Sequence, residues 1–120
     1  MHKILIVDDD RATSTLLRTL FQIEGYDGII CPRPDEVLPV ARREKPGLIL
    51  MDVHLADVDA IDILTELKAD AALCGLPVVM TSGMDVEDRC LKAGANAFML
   101  KPFKPTELMN VIRRELIAAN

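Results

Sequence analysis

Four short apolar segments of the sequence each run into polar residues that could take part in chemistry. The first ends in Asp8-Asp9-Asp10, another in Asp52, a third in Ser82 and the last in Lys101. Three carboxylates in one pocket repel each other unless a cation is bound, and hard oxygen ligands with room for water suit Mg²⁺. These residue types therefore predict a magnesium site with a lysine that balances its charge.

The same residues are the parts that phosphoryl transfer requires, because its transition state is stabilised mainly by positioning and by cations around the equatorial oxygens. Asp52 would supply the attacking oxygen, since a carboxylate can act as a nucleophile and form an acyl phosphate that water later hydrolyses. Asp8 and Asp9 would hold the metal. Ser82 would donate a hydrogen bond to one phosphoryl oxygen, and Lys101 would pair with another.

The elements that must position these residues alternate along the chain. Strand-sized apolar runs occupy residues 3–8, 27–31, 47–52, 77–82 and 97–101, with helix-compatible segments at 11–24, 35–44, 59–69, 85–93 and 105–118. The first, third and fourth runs are continuously apolar, as strands are when helices cover both faces of a parallel sheet. The pattern predicts an α/β fold with five parallel strands in a doubly wound sheet and five helices, and functional residues just after the strands.

Particular residues set the expected form of the helices. Pro39 removes a backbone hydrogen bond from the segment 35–44, so we expect that helix to be kinked or to begin late. The segment 85–93 should form about two turns at most, with Cys90 and Leu91 facing inward. Asp10 is a candidate N-cap for the first helix, whose Leu16 and Phe21 belong to its apolar positions.

Length and composition limit the classes of function. The chain has 120 residues, half of them hydrophobic, which suits one domain over residues 1–120. Its net charge of −5 argues against direct nucleic-acid binding. The apolar run at residues 4–7 is too short to be a signal peptide or membrane span, so we expect a cytoplasmic protein with no membrane contact. Cys31, Cys74 and Cys90 are read as reduced, buried thiols that only pack.

Four motifs carry a resemblance to a known family. They are V-D-D at residues 7–9, L-M-D at 50–52, P-V-V-M-T-S-G at 77–83 and K-P-F at 101–103. In this order and spacing they resemble the receiver domain of bacterial two-component response regulators, and the match covers the whole chain. The resemblance implies a flavodoxin-like, chemotaxis-regulator-like fold with strand order 2-1-3-4-5.

The resemblance also implies roles for individual residues. Asp52 matches the phosphoacceptor, and Asp8 and Asp9 match the acidic pair that binds Mg²⁺. His54 matches the position whose backbone carbonyl completes the metal site. Further matches concern the conformational change: Ser82 as the switch hydroxyl, Lys101 as the phosphate-pairing lysine, Phe98 as the aromatic that turns inward, and Pro102 as the proline of a cis Lys101–Pro102 bond.

The family resemblance implies a signalling function rather than an enzyme, apart from self-phosphorylation and autodephosphorylation. A sensor histidine kinase or histidine phosphotransfer protein would supply the phosphoryl group to Asp52. Phosphorylation would then change a surface that binds a downstream effector protein or a fused output domain. The resemblance is also compatible with a homodimer formed through the last two helices.

Some departures from the family pattern keep alternatives open. Ala56 and Ala60 stand where the family usually has Pro and Gly, so the loop 53–60 could differ in shape, and the stretch from Ser82 to Lys101 is shorter than usual. One alternative is therefore a pseudo-receiver that is never phosphorylated and works through constitutive contacts. Another is a Mg²⁺-dependent phosphatase or phosphotransferase, although 120 residues leave little room for a substrate cap.

Overall fold

The computed structural model describes residues 2–119. Its strands are β1 (Lys3–Val7), β2 (Asp27–Cys31), β3 (Leu48–Asp52), β4 (His54–Leu55), β5 (Val58–Asp59), β6 (Val78–Ser82) and β7 (Ala97–Leu100). Its helices are α1 (Arg11–Ile23), α2 (Val37–Glu44), α3 (Ala60–Ala69), α4 (Glu87–Lys92) and α5 (Pro105–Ala119), with a 3₁₀ turn at Pro34–Glu36. None of these helices is both long enough and apolar enough to span a membrane.

Five strands form one parallel sheet in the order β2-β1-β3-β6-β7. The fourth and fifth strands expected from the sequence are β6 and β7, so the predicted fold and strand order are confirmed. Asp52 is in register with Thr81, and Ser82 is in register with Leu100, the residue before Lys101. The register therefore brings the polar ends of β3, β6 and β7 to one edge of the sheet.

The sheet separates two apolar layers. Alternate residues of the central strands, such as Ile49 and Met51, face a cluster that includes Leu64 of α3. The residues between them, such as Leu50, face a second cluster with Leu108 of α5. Because both faces are covered by helices, the middle strands can be apolar at every position, which explains the continuous runs seen in the sequence.

Two expectations about helices are confirmed. The second helix begins late, at Val37 after the 3₁₀ turn, so that Pro39 falls in its first turn, where a missing N–H breaks no helical hydrogen bond. The fourth helix has only six residues.

The peptide bond between Lys101 and Pro102 is cis, as the resemblance implied.

The expected burial of Leu91 and of Cys74 is wrong. Leu91 is 45% exposed, because successive helical residues point about 100° apart and the short α4 already buries Cys90. Leu16 is 71% exposed at the edge of an open apolar groove between α1 and α5. Cys74 is exposed in a turn after α3, whereas Cys31 and Cys90 are buried as expected.

Candidate functional site

The side chain of Lys101 connects the ends of three strands. Its Nζ donates a hydrogen bond to Oδ2 of Asp52, at 2.7 Å, and lies 3.6 Å from Oδ2 of Asp8. Asp52 ends β3, Asp8 follows β1, and Lys101 follows β7. The parallel order of the sheet places these ends together, which is where ligands bind in open α/β folds.

Asp8 is the most enclosed carboxylate of the site, with 5% of its surface exposed. Its Oδ1 accepts a hydrogen bond from the Asp10 N–H at 2.9 Å. Burial raises the pKa of Asp8, and the negative charges of Asp52 and Asp9 raise it further, against the opposing effects of the Asp10 N–H and Lys101. Ionisation of Asp8 therefore lowers the stability of the folded state.

The charge of Lys101 is stabilised by the two carboxylates. Burial alone would lower the pKa of Lys101, but the hydrogen bond to Asp52 and the charges of Asp52 and Asp8 outweigh burial and raise the pKa. Its side chain keeps 32% of its surface exposed, so it can also contact a group that arrives from solvent. Lys101 is thus a fixed cation beside the candidate nucleophile.

Two carboxylate oxygens of the site are held by the segment that follows β3. Oδ1 of Asp52 accepts a hydrogen bond from the His54 N–H at 3.0 Å. Oδ2 of Asp9 accepts one from the Ala56 N–H at 2.7 Å. His54 and Ala56 belong to the β4–β5 hairpin, so the loop that the sequence flagged as unusual contacts the site directly.

Ser82 and Phe98 occupy the sheet beside the site. Ser82 is fully buried, and its Oγ accepts a hydrogen bond from the Met84 N–H at 3.0 Å. Phe98 is half-buried in β7 and packs against the core cluster on the α3 and α4 side of the sheet. Ser82 lies on β6, which pairs with the strand that ends in Asp52, and Phe98 lies on β7, the strand that precedes Lys101.

The donor set at this edge has the chemistry that Mg²⁺ requires. Asp8, Asp9 and Asp52 offer carboxylate oxygens, and the buried Asp8 sits among like charges that a cation would relieve. In the conformation described for residues 2–119, no group of three or more His, Cys, Asp or Glu side chains stands close enough together to hold a metal ion. In this conformation the three carboxylates therefore do not all converge on one point.

Most of the predicted site residues come together, and two features were missed. Asp52, Asp8 and Lys101 are in direct contact, as their positions after strands indicated. The hydrogen bond from Ala56 to Asp9 had no sequence signal, because its donor is a backbone N–H. The ion pair between Arg89 and Asp59 was missed because residues 30 apart in sequence give no periodic pattern.

The family comparison agrees with this geometry. The family model described as the response regulator receiver domain matches residues 4–113 of this chain. The chain belongs to this family. A curated relative, the DNA-binding response regulator MtrA of Mycolicibacterium paratuberculosis, is 35% identical over 96% of this chain and 51% of its own length. The receiver domain described here thus spans about half the length of the curated relatives it matches.

Solved receiver domains have the same fold. A CheY-like receiver domain from Methanospirillum hungatei superposes with a TM-score of 0.91 and 29% identity, covering 99% of this chain and 96% of its own. The receiver domain of a sensor histidine kinase from Pseudomonas aeruginosa, solved with a magnesium ion in its active site cleft, gives a TM-score of 0.87 and 25% identity, covering 96% and 97% of the two chains. This receiver domain therefore has the CheY-like fold.

Proposed function

We propose that residues 1–120 form a phosphorylation-activated switch whose Asp52 accepts a phosphoryl group from a phosphohistidine of a sensor histidine kinase or histidine phosphotransfer protein. The observation that carries this proposal is the Lys101 ammonium, 2.7 Å from Oδ2 of Asp52 and 3.6 Å from Asp8. A cation fixed beside a strand-end carboxylate can pair with a phosphoryl oxygen that arrives there.

The transfer step exchanges one bond to phosphorus for another. A carboxylate oxygen of Asp52 attacks the phosphorus, a P–O bond forms, and the P–N bond to the donor imidazole breaks. The imidazole leaves with the electron pair and takes up a proton from solvent. Lys101 keeps its proton throughout, because its contacts with two carboxylates raise its pKa.

Magnesium would be held by Asp8, Asp9 and Asp52 together with the backbone carbonyl of His54. The bound ion would offset the negative charge that accumulates when a phosphoryl group meets three carboxylates. The support for this assignment is the donor chemistry described above and the magnesium in the Pseudomonas receiver domain.

The conformational response would run through Ser82 and Phe98. The Ser82 hydroxyl, which accepts the Met84 N–H in the present conformation, would donate to a phosphoryl oxygen. Its movement would draw the β6–α4 loop toward Asp52 and let Phe98 turn inward. The surface of α4, β7 and α5 would then change its shape for a partner.

The proposed output of the switch is carried by another domain or by another protein. The curated relatives are about twice as long, and MtrA is named as a DNA-binding regulator, whereas this chain carries a net charge of −5. We assign the output to a fused domain or a downstream protein in the cytoplasm, with homodimerisation through the last two helices as a further route. The receiver domain itself would bind neither nucleic acid nor membrane.

The decisive experiment is intact mass spectrometry after incubation with acetyl phosphate, with and without MgCl₂. Wild type is expected to gain one phosphoryl group only with Mg²⁺, and Asp52→Asn is expected to gain none, because the amide is not a nucleophile toward phosphorus. Asp57→Asn is the matched control, since Asp57 is an exposed aspartate five residues away that should leave the gain intact.

Three results would contradict the proposal. A folded wild-type protein that gains no phosphoryl group would favour the pseudo-receiver alternative, with Ala56 and Ala60 as the residues to revert. Repeated turnover of a small phosphoester would favour the phosphatase alternative. A phosphoryl gain that persists in Asp52→Asn would place the acceptor elsewhere.

A further inference from the structure

The hairpin turn after the phosphoacceptor strand holds one of the three site carboxylates. The Ala56 N–H donates to Oδ2 of Asp9 at 2.7 Å, a short distance for an N–H···O bond. This contact joins residues 47 apart in the sequence and ties the end of β1 to the β4–β5 hairpin. A backbone donor to an ionised acceptor is among the stronger protein hydrogen bonds.

Ala56 has an unusual backbone conformation at this point. Leu55 pairs with Val58, so Ala56 and Asp57 form a two-residue hairpin loop. The φ of Ala56 is +53°, the left-handed region that favours glycine, and Asp57 does not share it. A positive φ is unfavourable for an L-residue because Cβ comes too close to a backbone carbonyl oxygen. The turn therefore maintains an unfavourable conformation in which the Ala56 N–H points at Asp9.

Asp9 differs from the other two carboxylates in its surroundings. Asp52 and Asp8 both contact Lys101, at 2.7 and 3.6 Å. No ion pair joins Asp9 to any cation among residues 2–119, and its hydrogen-bond partner is the hairpin turn. The side chain of Asp9 is exposed, so it can turn without repacking the core.

We propose that Ala56 is a positioning residue for Asp9: its N–H holds the Asp9 carboxylate at the hairpin, competes with Mg²⁺ and is released when the ion binds. This inference rests on the proposed function, since it concerns the same magnesium site. It adds that the hairpin sets the affinity for the ion and changes its own hydrogen bonding on binding.

The competition follows from the demands of the ion. Mg²⁺ requires near-ideal octahedral geometry at about 2.0–2.1 Å and tolerates little displacement of a ligand. A carboxylate anchored to the Ala56 N–H cannot also move freely toward Asp52. The N–H also brings its own partial positive charge close to the carboxylate that the cation would use. The observed bond uses only Oδ2 of Asp9, so the competition concerns the position of the whole carboxylate rather than a single lone pair.

The first test follows the amide protons of uniformly labelled wild type by NMR while MgCl₂ replaces NaCl at constant ionic strength. Without Mg²⁺, the Ala56 amide proton should resonate downfield with a small temperature dependence, as expected for a short bond to a carboxylate. As Mg²⁺ saturates the site, the Ala56 resonance should move upfield. The Lys45 amide, which donates to Ala41 on the opposite side of the domain, is the control and should not move.

The second test compares two substitutions of Ala56. Ala56→Pro removes the N–H donor and also ends the positive φ of residue 56, because proline fixes φ at about −65°. Both changes release Asp9 from the turn, so the Kd for Mg²⁺ should fall about three- to tenfold, the range that a single hydrogen bond controls. Ala56→Gly keeps the donor and adopts a positive φ without strain, so its amide should behave as the Ala56 amide does and its Kd should stay near that of wild type.

The outcomes separate this inference from the function on which it rests. If Mg²⁺ shifts the amides near Asp8 and Asp52 while the Ala56 amide stays fixed, the competition is absent but the metal site stands. If Mg²⁺ shifts none of these amides, the metal site itself is refuted. Should Ala56→Pro fold poorly, the wild-type titration alone still decides. Equal Kd values for folded Ala56→Pro and Ala56→Gly would also overturn the inference.

Discussion

Three carboxylates and the ammonium of Lys101 lie close together at one edge of the sheet. The carboxylates differ in how deeply they are buried and in how close they lie to the ammonium. Asp52 receives a direct hydrogen bond from Lys101, whereas Asp8 is buried and lies farther from the ammonium. Burial and the neighbouring negative charges raise the pKa of Asp8. Ionisation of Asp8 therefore lowers the stability of the fold, which is consistent with the metal-binding role proposed above.

At the residue scale, Asp8→Asn is expected to raise the free energy of unfolding at neutral pH. A folded-state pKa above the unfolded value means that the folded domain binds more protons, so ionisation of Asp8 lowers stability as pH rises. Asparagine keeps an acceptor for the Asp10 N–H but carries no charge. Urea unfolding in EDTA at several pH values measures the gain in free energy of unfolding. The pH values run from about 4, the usual pKa of an aspartate, to about 8.

The gain should be largest at the neutral end and shrink as pH falls toward the ordinary aspartate range. Asp27→Asn, a change in an exposed aspartate at the start of β2, should show no such pattern. A gain that grows toward acid pH, or a loss of stability at pH 7, would contradict the electrostatic account of Asp8.

Much of the site could be predicted from residue types, because strand ends of a parallel sheet converge. Asp52, Asp8 and Lys101 were identified in this way, and their contacts are confirmed. The contact between Ala56 and Asp9 could not be predicted. It depends on the positive φ of Ala56 and on its backbone N–H, and neither can be predicted from the alanine side chain.

At the element scale, Asp59 joins three neighbouring elements. It ends β5, its Oδ1 accepts the Ile61 N–H at the start of α3, and its Oδ2 accepts a hydrogen bond from Arg89 of α4 at 2.7 Å. The Ile61 N–H and then Arg89 lower the pKa of Asp59. A depressed pKa contributes stability that is present above the unfolded pKa and is lost as pH falls.

Asp59→Ala should therefore cost about 1 kcal/mol of stability at pH 7, the usual effect of losing an N-cap side chain. Arg89→Ala removes only an exposed ion pair, so its loss should be smaller. Asp59→Asn keeps the cap and should resemble Arg89→Ala. Thermal unfolding of the variants at pH 7 and in acid ranks their losses of stability. Equal losses for Asp59→Ala and Arg89→Ala would refute separate contributions from the helix cap and the ion pair.

Element boundaries followed from the sequence where apolar runs were long or punctuated. The late start of α2 was predicted from Pro39, and the stop of α1 coincides with Gly25, whose φ is +88°. The β4–β5 hairpin was not predicted, since strands of two residues are too short to show a period. The exposure of Leu16 depends on a groove between α1 and α5, which helical spacing alone cannot reveal.

At the scale of the whole molecule, the two core clusters share the same strands. Leu64 and Leu108 are both fully buried, on opposite faces of the sheet. A loss of packing on one face of the sheet therefore disturbs strands that also pack against the other face. We expect the domain to unfold in one cooperative transition rather than layer by layer.

Leu64→Ala and Leu108→Ala should each destabilise the domain by about 2–5 kcal/mol, because each leaves a cavity in a filled core. In both variants the midpoint of urea unfolding should fall with an unchanged m-value, and circular dichroism and Tyr26 fluorescence should report the same transition. Leu16→Ala is the matched control on an exposed leucine and should stay within about 0.5 kcal/mol of wild type. Separate transitions for the two probes would show independent layers.

The strand order also has a consequence for synthesis on the ribosome. Within the sheet, β1 is an inner strand between β2 and β3, yet it is translated before either partner. Its five residues cannot complete their hydrogen bonds until residue 51 has left the exit tunnel. Until then the apolar β1 strand has at least one unpaired edge, even after β2 has been made, and an exposed apolar strand edge is a typical recognition feature for nascent-chain chaperones.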